Sequence, residues 1–392
     1  MKKFLALTLA LVMSLSLVAC GSKNEEPKTD DTSDTQVEEP TEGAYKIAMI
    51  TDYGDITDQS FNQTTYEACK AFAEDNSIEF NYFKPAGDNT ADRVAMIEKA
   101  VDEGYTVIVM PGYAFGGAIV ETAPKFSDVK FIALDVSAGD LGDGFEVPDN
   151  LYCAVYQEEL CGYMAGYAAV KMGYTKLGFL GGMAVPAVVR YGYGFVQGVD
   201  AAAAETGTEN VTLNYVYGGQ FFGDADITAV MDTWYQHDGV EVVFACGGGI
   251  YTSAVDAAKK ADAKVIGVDV DQAGVIANYA ETEGMTITSA MKGLYPTTYD
   301  TLSDVILNDN WSKYAGQIAT LGLVSADDPE ANYVQIPMGD GTQWCDTFTQ
   351  DDYKAMVKAM YDGELTVSND ITKSPADFAT CIAVEDQGAI KG

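Results

Sequence analysis

The chain has 392 residues, 47% of them hydrophobic, enough for two domains with a core each. Its formal net charge of −36 excludes nucleic acid and anionic membrane surfaces as partners, because both require a basic face. The single histidine, His237 in "YQHDGVE", removes most histidine-dependent chemistry: it rules out a zinc site of several histidines, no Ser-His-Asp triad can be drawn around it, and it reads as an exposed residue at a helix end.

At the N-terminus Lys2 and Lys3 precede an apolar run over residues 4–18, and small Ala19 stands before Cys20. A charged start, a short apolar stretch and a small residue before the cut mark an export signal, too short for an ordinary membrane span. "LVAC-GS" resembles a bacterial lipobox, which implies a signal peptide over residues 1–19 and lipidation of Cys20. Residues 20–44, mostly "GSKNEEPKTDDTSDTQVEEPTEG", are polar and acidic, have almost nothing to bury, and read as a disordered tether. Lipid and tether together predict a folded part held at the extracytoplasmic face of a cell membrane. Of the other cysteines, Cys345 and Cys381 are the pair worth considering for a disulfide; the rest sit in apolar contexts that suit buried thiols.

Beyond the tether, "YKIAMIT" reads as a strand. The following stretch, "ITDYGDITDQSFNQTTYEA", spaces Asp52, Asp55 and Asp58 three apart without the closing Glu of a calcium loop, so no metal is expected there. Asp58 can cap a helix whose apolar face takes Phe61, Ala68, Cys69 and Phe72. Then come "IEFNYFK" as strand, "ADRVAMIEKAVDEG" as helix, and "YTVIVMP" and "VKFIALDV" as strands. A second series follows: strand "KLGFLGG", helix "VVRYGYGFVQGVDAAAAETG", strand "VTLNYVYG", helix "DADITAVMDTWYQHDG", strand "VEVVFACGGG", helix "YTSAVDAAKKAD", and strands "AKVIGVDVD" and "TITSAMKG". Continuous apolar strands joined by helices predict an α/β fold with two Rossmann-like lobes, each a parallel sheet covered on both faces.

Ligands bind such sheets beyond the carboxyl ends of the strands, so the residues there are the candidates. They are Asp52 and residues 58–62; Gly112, Tyr113 and Phe115; Asp135; Phe221 and Phe222; Gly247 and Gly248; Asp269 and Asp271; and Lys292. Each also has a plain structural reading: Asp58 as a helix cap, Phe61 as core, Lys292 as a surface lysine, the glycines as a turn.

"DQSFNQTTYEA", "VKFIALD", "LGFLGGMAVPAVVRYGYGFVQGV", "YGGQFF", "VVFACGGG", "VIGVDVDQ" and "TSAMKG", in this order, resemble the basic membrane protein family over residues 46–307. That family comprises lipoproteins that bind purine nucleosides for ABC importers. The resemblance implies a type I periplasmic-binding-protein fold with a three-crossover hinge, no catalysis and no cofactor. It also implies a monomer whose partners are a purine nucleoside and the membrane permease subunits. Residues 45–156 and 291–328 are expected to form the N-terminal lobe, and residues 157–290 and 329–392 the C-terminal lobe. Carried over by position, Phe61 and Phe221 sandwich the base, Asp58 and Asn62 lie beside it, Asp135, Asp269 and Lys292 hold the ribose, and Gly247 and Gly248 offer backbone contacts. Three departures stand out: "YGDITDQ" is longer and more acidic than the family's approach, Phe222 competes with Phe221 as stacking partner, and the chain from Leu321 onward diverges.

The chemistry agrees with those assignments. A hydroxyl bonded to a carboxylate is worth about 1.5–3 kcal/mol, and a stacked base about 1–3 kcal/mol. Competing readings are a sugar-binding protein of the same fold, a sensor presenting liganded lobes to a receptor, and a nucleoside or glycoside hydrolase using Asp52, Asp135 or Asp269.

Overall fold

The computed structural model describes residues 45–391; the expected signal peptide, tether and Cys20 lie outside the described residues. Two sheets carry the chain. In the first, β1 (Lys46–Ile50), β2 (Glu79–Phe83), β3 (Val107–Pro111), β4 (Lys130–Leu134), β5 (Leu151–Tyr156) and β11 (Gln317–Leu321) lie in the order β2-β1-β3-β4-β5-β11, all parallel. The second joins β6 (Lys176–Gly181), β7 (Thr212–Tyr217), β8 (Val242–Cys246), β9 (Lys264–Asp269), β10 (Thr286–Lys292), β12 (Val334–Gln335) and β13 (Ala383–Ala389). Its order is β13-β7-β6-β8-β9-β10-β12, parallel except for the β10–β12 pair.

Sequence explains the layering. β3 (VIVMP) and β8 (VVFAC) are buried at every position, as strands with helices on both faces must be. The edge strands β2 (EFNYF) and β13 (AVEDQGA) are largely exposed and carry charge, which blunts them against stray pairing. Three crossovers, at residues 156–158, 292–294 and 321–334, link the two sheets. They are tied to one another, since Gln157 N donates to Leu321 O at 2.9 Å and Gly293 N to Tyr333 O at 2.7 Å. The expected lobe boundary at 290/291 falls inside β10, which runs to Lys292 in the second sheet.

Among the elements without a counterpart in the sequence reading, two shape the site: β5 and the helix Glu158–Lys171. That helix is buried on nearly every face and so lacks the polar stripe that marks a surface helix. It packs closely against the helix Pro186–Thr206 because glycines line the contact. A Cβ on Gly194 would stand 2.1 Å from Glu159 O, and one on Gly162 would stand 2.2 Å from Tyr191 O. Close approach of these two helices sets Arg190 and Tyr191 beside Glu158.

All six described cysteines are free thiols. Cys345 Sγ lies 3.2 Å from Thr347 Oγ1 and Cys381 Sγ lies 3.5 Å from Thr380 Oγ1, so the disulfide considered from sequence is not formed. His237 is exposed at the end of its helix, and among the described residues no helix is long and apolar enough to cross a membrane.

Candidate ligand-binding site

The carboxyl ends of both sheets face a cavity of about 390 Å³. Asp58, Phe61, Asn62 and Asp135 line it from the first lobe, and Phe221, Gly247, Gly248, Asp269 and Lys292 from the second. Of the wider strand-end set, Asp52, Gly112, Tyr113 and Phe222 line it as well. Phe115 is instead buried in the first lobe's core, and Asp271, which does not line the cavity, accepts through Oδ1 from Ala273 N at 3.0 Å.

At the centre is one buried ammonium. Lys292 Nζ lies 2.5 Å from Asp135 Oδ2, 3.6 Å from Glu158 Oε1 and 3.7 Å from Asp269 Oδ1, with its side chain only 3% exposed. Burial works against the ammonium, yet the three carboxylates outweigh it and hold Lys292 above the ordinary lysine range. Burial pushes Asp269 up, opposed by Lys292, and pushes Glu158 up, opposed by Arg190 and Lys292. Arg190 Nε donates to Glu158 Oε2 at 2.6 Å. Both buried cations of this cluster are therefore already engaged.

Asp135 and Asp269 occupy matching places, just after β4 and at the end of β9, and both are left-handed, with φ of 58° and 65°. Such a backbone costs a residue other than glycine on the order of 1–3 kcal/mol, and aspartate bears it better than most. Asp269 accepts from Ser60 Oγ at 2.5 Å and from Tyr191 OH at 3.3 Å. Asp135 Oδ1 and Asn62 Oδ1 are buried without a hydrogen-bond partner, in residues that line the cavity. These are vacant acceptors, suited to hydroxyl or N–H donors on a bound molecule.

Asp58 does what a capping residue does. Its carboxylate accepts from the amides of Ser60, Asn62 and Gln63 at 2.9, 2.9 and 3.1 Å. Burial raises its carboxyl above the usual range while those amides pull it back. Cap and cavity wall are thus the same side chain.

Phe61 opens the helix Phe61–Asn76 and lies under Lys292, whose Nζ is 4.7 Å from its ring centre. Phe221, half-buried in the loop after β7, rests on bare backbone. A Cβ on Gly182 would come within 2.3 Å of its ring and one on Gly247 within 2.8 Å, and Gly249 N donates to Phe221 O at 2.8 Å. Gly247 also has φ +144°, a conformation side chains avoid. Phe222 is 58% exposed, so Phe221 forms the seated wall.

Glu158, Arg190 and Tyr191 were missed as site residues by sequence reasoning, and Ser60, inside the candidate segment 58–62, was given no role of its own. Ser60 and the Arg-Tyr pair stand inside the motifs "DQSFNQ" and "VVRYGYG" without an assigned role, and Glu158 starts the unread helix. Further contacts join the lobes. Gln272 Nε2 donates to Gln59 O at 3.2 Å, and the Tyr53 and Tyr113 hydroxyls approach Met183 Sδ at 3.6 and 3.7 Å. The lobes are closed on each other. Among the described residues no group of acidic, His or Cys side chains could hold a metal ion.

A protein-family model described as "ABC transporter substrate-binding protein PnrA-like" matches residues 45–326. The chain is 29% identical over 309 residues to the CD4+ T-cell-stimulating antigen of Listeria innocua, covering 74% of this chain and 80% of that one. It is 26% identical over 285 residues to the ABC transporter nucleoside-binding protein BmpA of Lactococcus lactis subsp. cremoris, covering 69% and 75%. An ABC transporter solute-binding protein from Aeropyrum pernix shares its fold, with a TM-score of 0.63 and 20% identity over 85% of this chain and 90% of that one.

Proposed function

The chain belongs to the PnrA-like family of ABC transporter substrate-binding proteins, a non-enzymatic transport component, and from that premise we propose that its cleft binds purine nucleosides. In this reading the base lies between Phe61 and Phe221, with Asn62 Oδ1 and the Asp58 carboxylate at its edge. The ribose hydroxyls donate to Asp135 and Asp269, Lys292 pairs with both carboxylates, and Gly247 and Gly248 let backbone come close. The observation that carries the reading is the vacant, buried Asp135 Oδ1 in a cavity that also has Phe61 and Phe221 as walls. A polyhydroxylated ring fits the acceptor, and a flat base fits the walls. The printed name of the Lactococcus relative points the same way. Delivery to permease subunits follows from the family, and attachment to the outer face of the membrane through lipidated Cys20 follows from the N-terminal signal.

Calorimetric titration with inosine, guanosine, adenosine, ribose and guanosine monophosphate tests this. Nucleosides are expected to bind. Ribose loses the stack, and the monophosphate brings an anion to a cleft lined by Asp52, Asp58, Asp135 and Asp269 whose buried cations are already paired. Ribose or the monophosphate binding as tightly as inosine would replace this reading with the sugar-binding one.

A further inference from the structure

The family match ends at residue 326, yet the chain continues through β13 and past it. β13 adds a parallel edge strand to β7, and Ile390 N extends the pairing by donating to Tyr217 O at 2.8 Å. The chain then crosses Gly219, where a Cβ would stand 2.5 Å from Lys391 O. There Lys391 Nζ meets the Asp224 carboxylate and lies 3.7 Å from Asp226 Oδ2. Asp224 is the fixed end of the loop that carries the aromatic wall. It caps the helix Ala225–Thr233, and its Oδ2 accepts from Gln220 Nε2 at 2.8 Å, while the same Gln220 nitrogen donates to Phe222 O at 2.9 Å. Lys391, Asp224, Gln220 and the Phe221–Phe222 backbone are thus linked in series.

We propose that this C-terminal strand is a strap that positions Phe221, with Lys391 as a positioning residue for base stacking. The proposal rests on the nucleoside reading of the cleft. The loop between β7 and its helix is also held by backbone bonds from Gly218 and Gly219 to Gly181 and Gly182, by Gly249 N to Phe221 O, and by Asp224 N to Ser253 Oγ; the strap adds a hold on Asp224 and Gln220 from the side of β13. Lys391 touches no cavity wall directly; it acts through Asp224 and Gln220.

The test compares wild type, Lys391→Ala, Lys391→Arg, Phe221→Ala and the Phe221→Ala/Lys391→Ala double variant, using inosine titrations at low and high salt. Lys391→Ala should weaken inosine binding roughly three- to fivefold at low salt, less at high salt because a half-exposed ion pair is screened, with Lys391→Arg restoring it. In the Phe221→Ala background the same change should cost nothing further, which a general loss of structure would not reproduce. Hydrogen exchange checks both ends: residues 383–390 stay protected in Lys391→Ala, while the loop at residues 219–224 loses protection. Unchanged inosine affinity in Lys391→Ala, or an equal loss with and without Phe221, overturns the strap. Failure of wild type to bind any nucleoside overturns the nucleoside reading instead, and exchange at residues 219–224 still reports whether Lys391 anchors the loop.

Discussion

Replacing Lys292 with Met keeps the length of the side chain and removes its charge from a place that is 3% exposed. Asp135, Glu158 and Asp269, all within 3.7 Å of Nζ, then lose their shared counterion. Removing one partner of a buried pair costs about 3–5 kcal/mol, out of a typical total stability of about 5–15 kcal/mol, so the variant folds with much of its margin gone. The deficit depends on pH in a definite direction. Asp269 and Glu158 already sit above their ordinary ranges through burial, and losing the ammonium raises them further. A carboxyl that is raised on folding destabilises above its folded value and stops doing so as pH falls and it takes up a proton. Lys292 itself, raised above 10.5, contributes stability that is fully present below that value and is lost only at higher pH, so it adds no slope near neutrality. The expected result is a gap between wild type and Lys292→Met that is widest at pH 8 and narrows towards pH 5, with Lys292→Arg lying nearer to wild type. Urea unfolding at pH 5, 6.5 and 8 measures it. A loss below about 1 kcal/mol, in the range of an exposed pair, or a gap that does not vary with pH, would refute the shared-counterion account.

Gly247→Ala, with a Cβ 2.8 Å from the Phe221 ring, should push that ring off its seat and weaken inosine binding on the order of tenfold, read by calorimetry; an unchanged affinity counts against the stacking wall. Glu159 is buried with an unpartnered Oε2, and burial first, then Glu158, pushes its carboxyl from 4.5 up to about 7. Glu159→Gln should therefore raise stability above pH 7 by up to about 3 kcal/mol, at 1.36 kcal/mol per unit, with the gain fading by pH 5; a constant gain would show that charge is not the cause. Inosine should reduce the radius of gyration in small-angle scattering by favouring closed lobes, and no change at saturation sinks closure. Cys20→Ala should move the protein from the membrane fraction to the soluble one, and normal membrane retention would oppose lipidation.

The strand-end residues were legible because the strands announce themselves. Runs such as VIVMP and VVFAC, each ended by a glycine, are what a doubly covered parallel strand requires, and the residues just past such ends are brought to one edge by topology alone. Glu158 was not legible, since its helix is apolar all round and offers no period to read. β13 was not legible for the opposite reason: AVEDQGA is polar, and only its partner β7, far away in sequence, makes it a strand. At Asp58 the two readings could not be separated because both hold, the carboxylate capping the helix and lining the cavity at once.

The two sheets correspond strand for strand from β2-β1-β3-β4-β5 to β7-β6-β8-β9-β10, and the left-handed aspartates stand at corresponding points, after β4 and at the end of β9. The correspondence fails one strand further on. β5 ends in Tyr156, whereas its counterpart β10 ends in Lys292. One lysine from the second sheet therefore serves an aspartate from each lobe, and its pairing with Asp135 exists only while the lobes are together. The closed lobes pair Asp135 Oδ2 with Lys292 and leave its second oxygen vacant and buried. A neutral ligand with hydroxyl donors completes that oxygen, whereas an anion meets carboxylates whose cations are already taken. In the proposed nucleoside reading, ligand choice and lobe closure thus rest on the same ammonium.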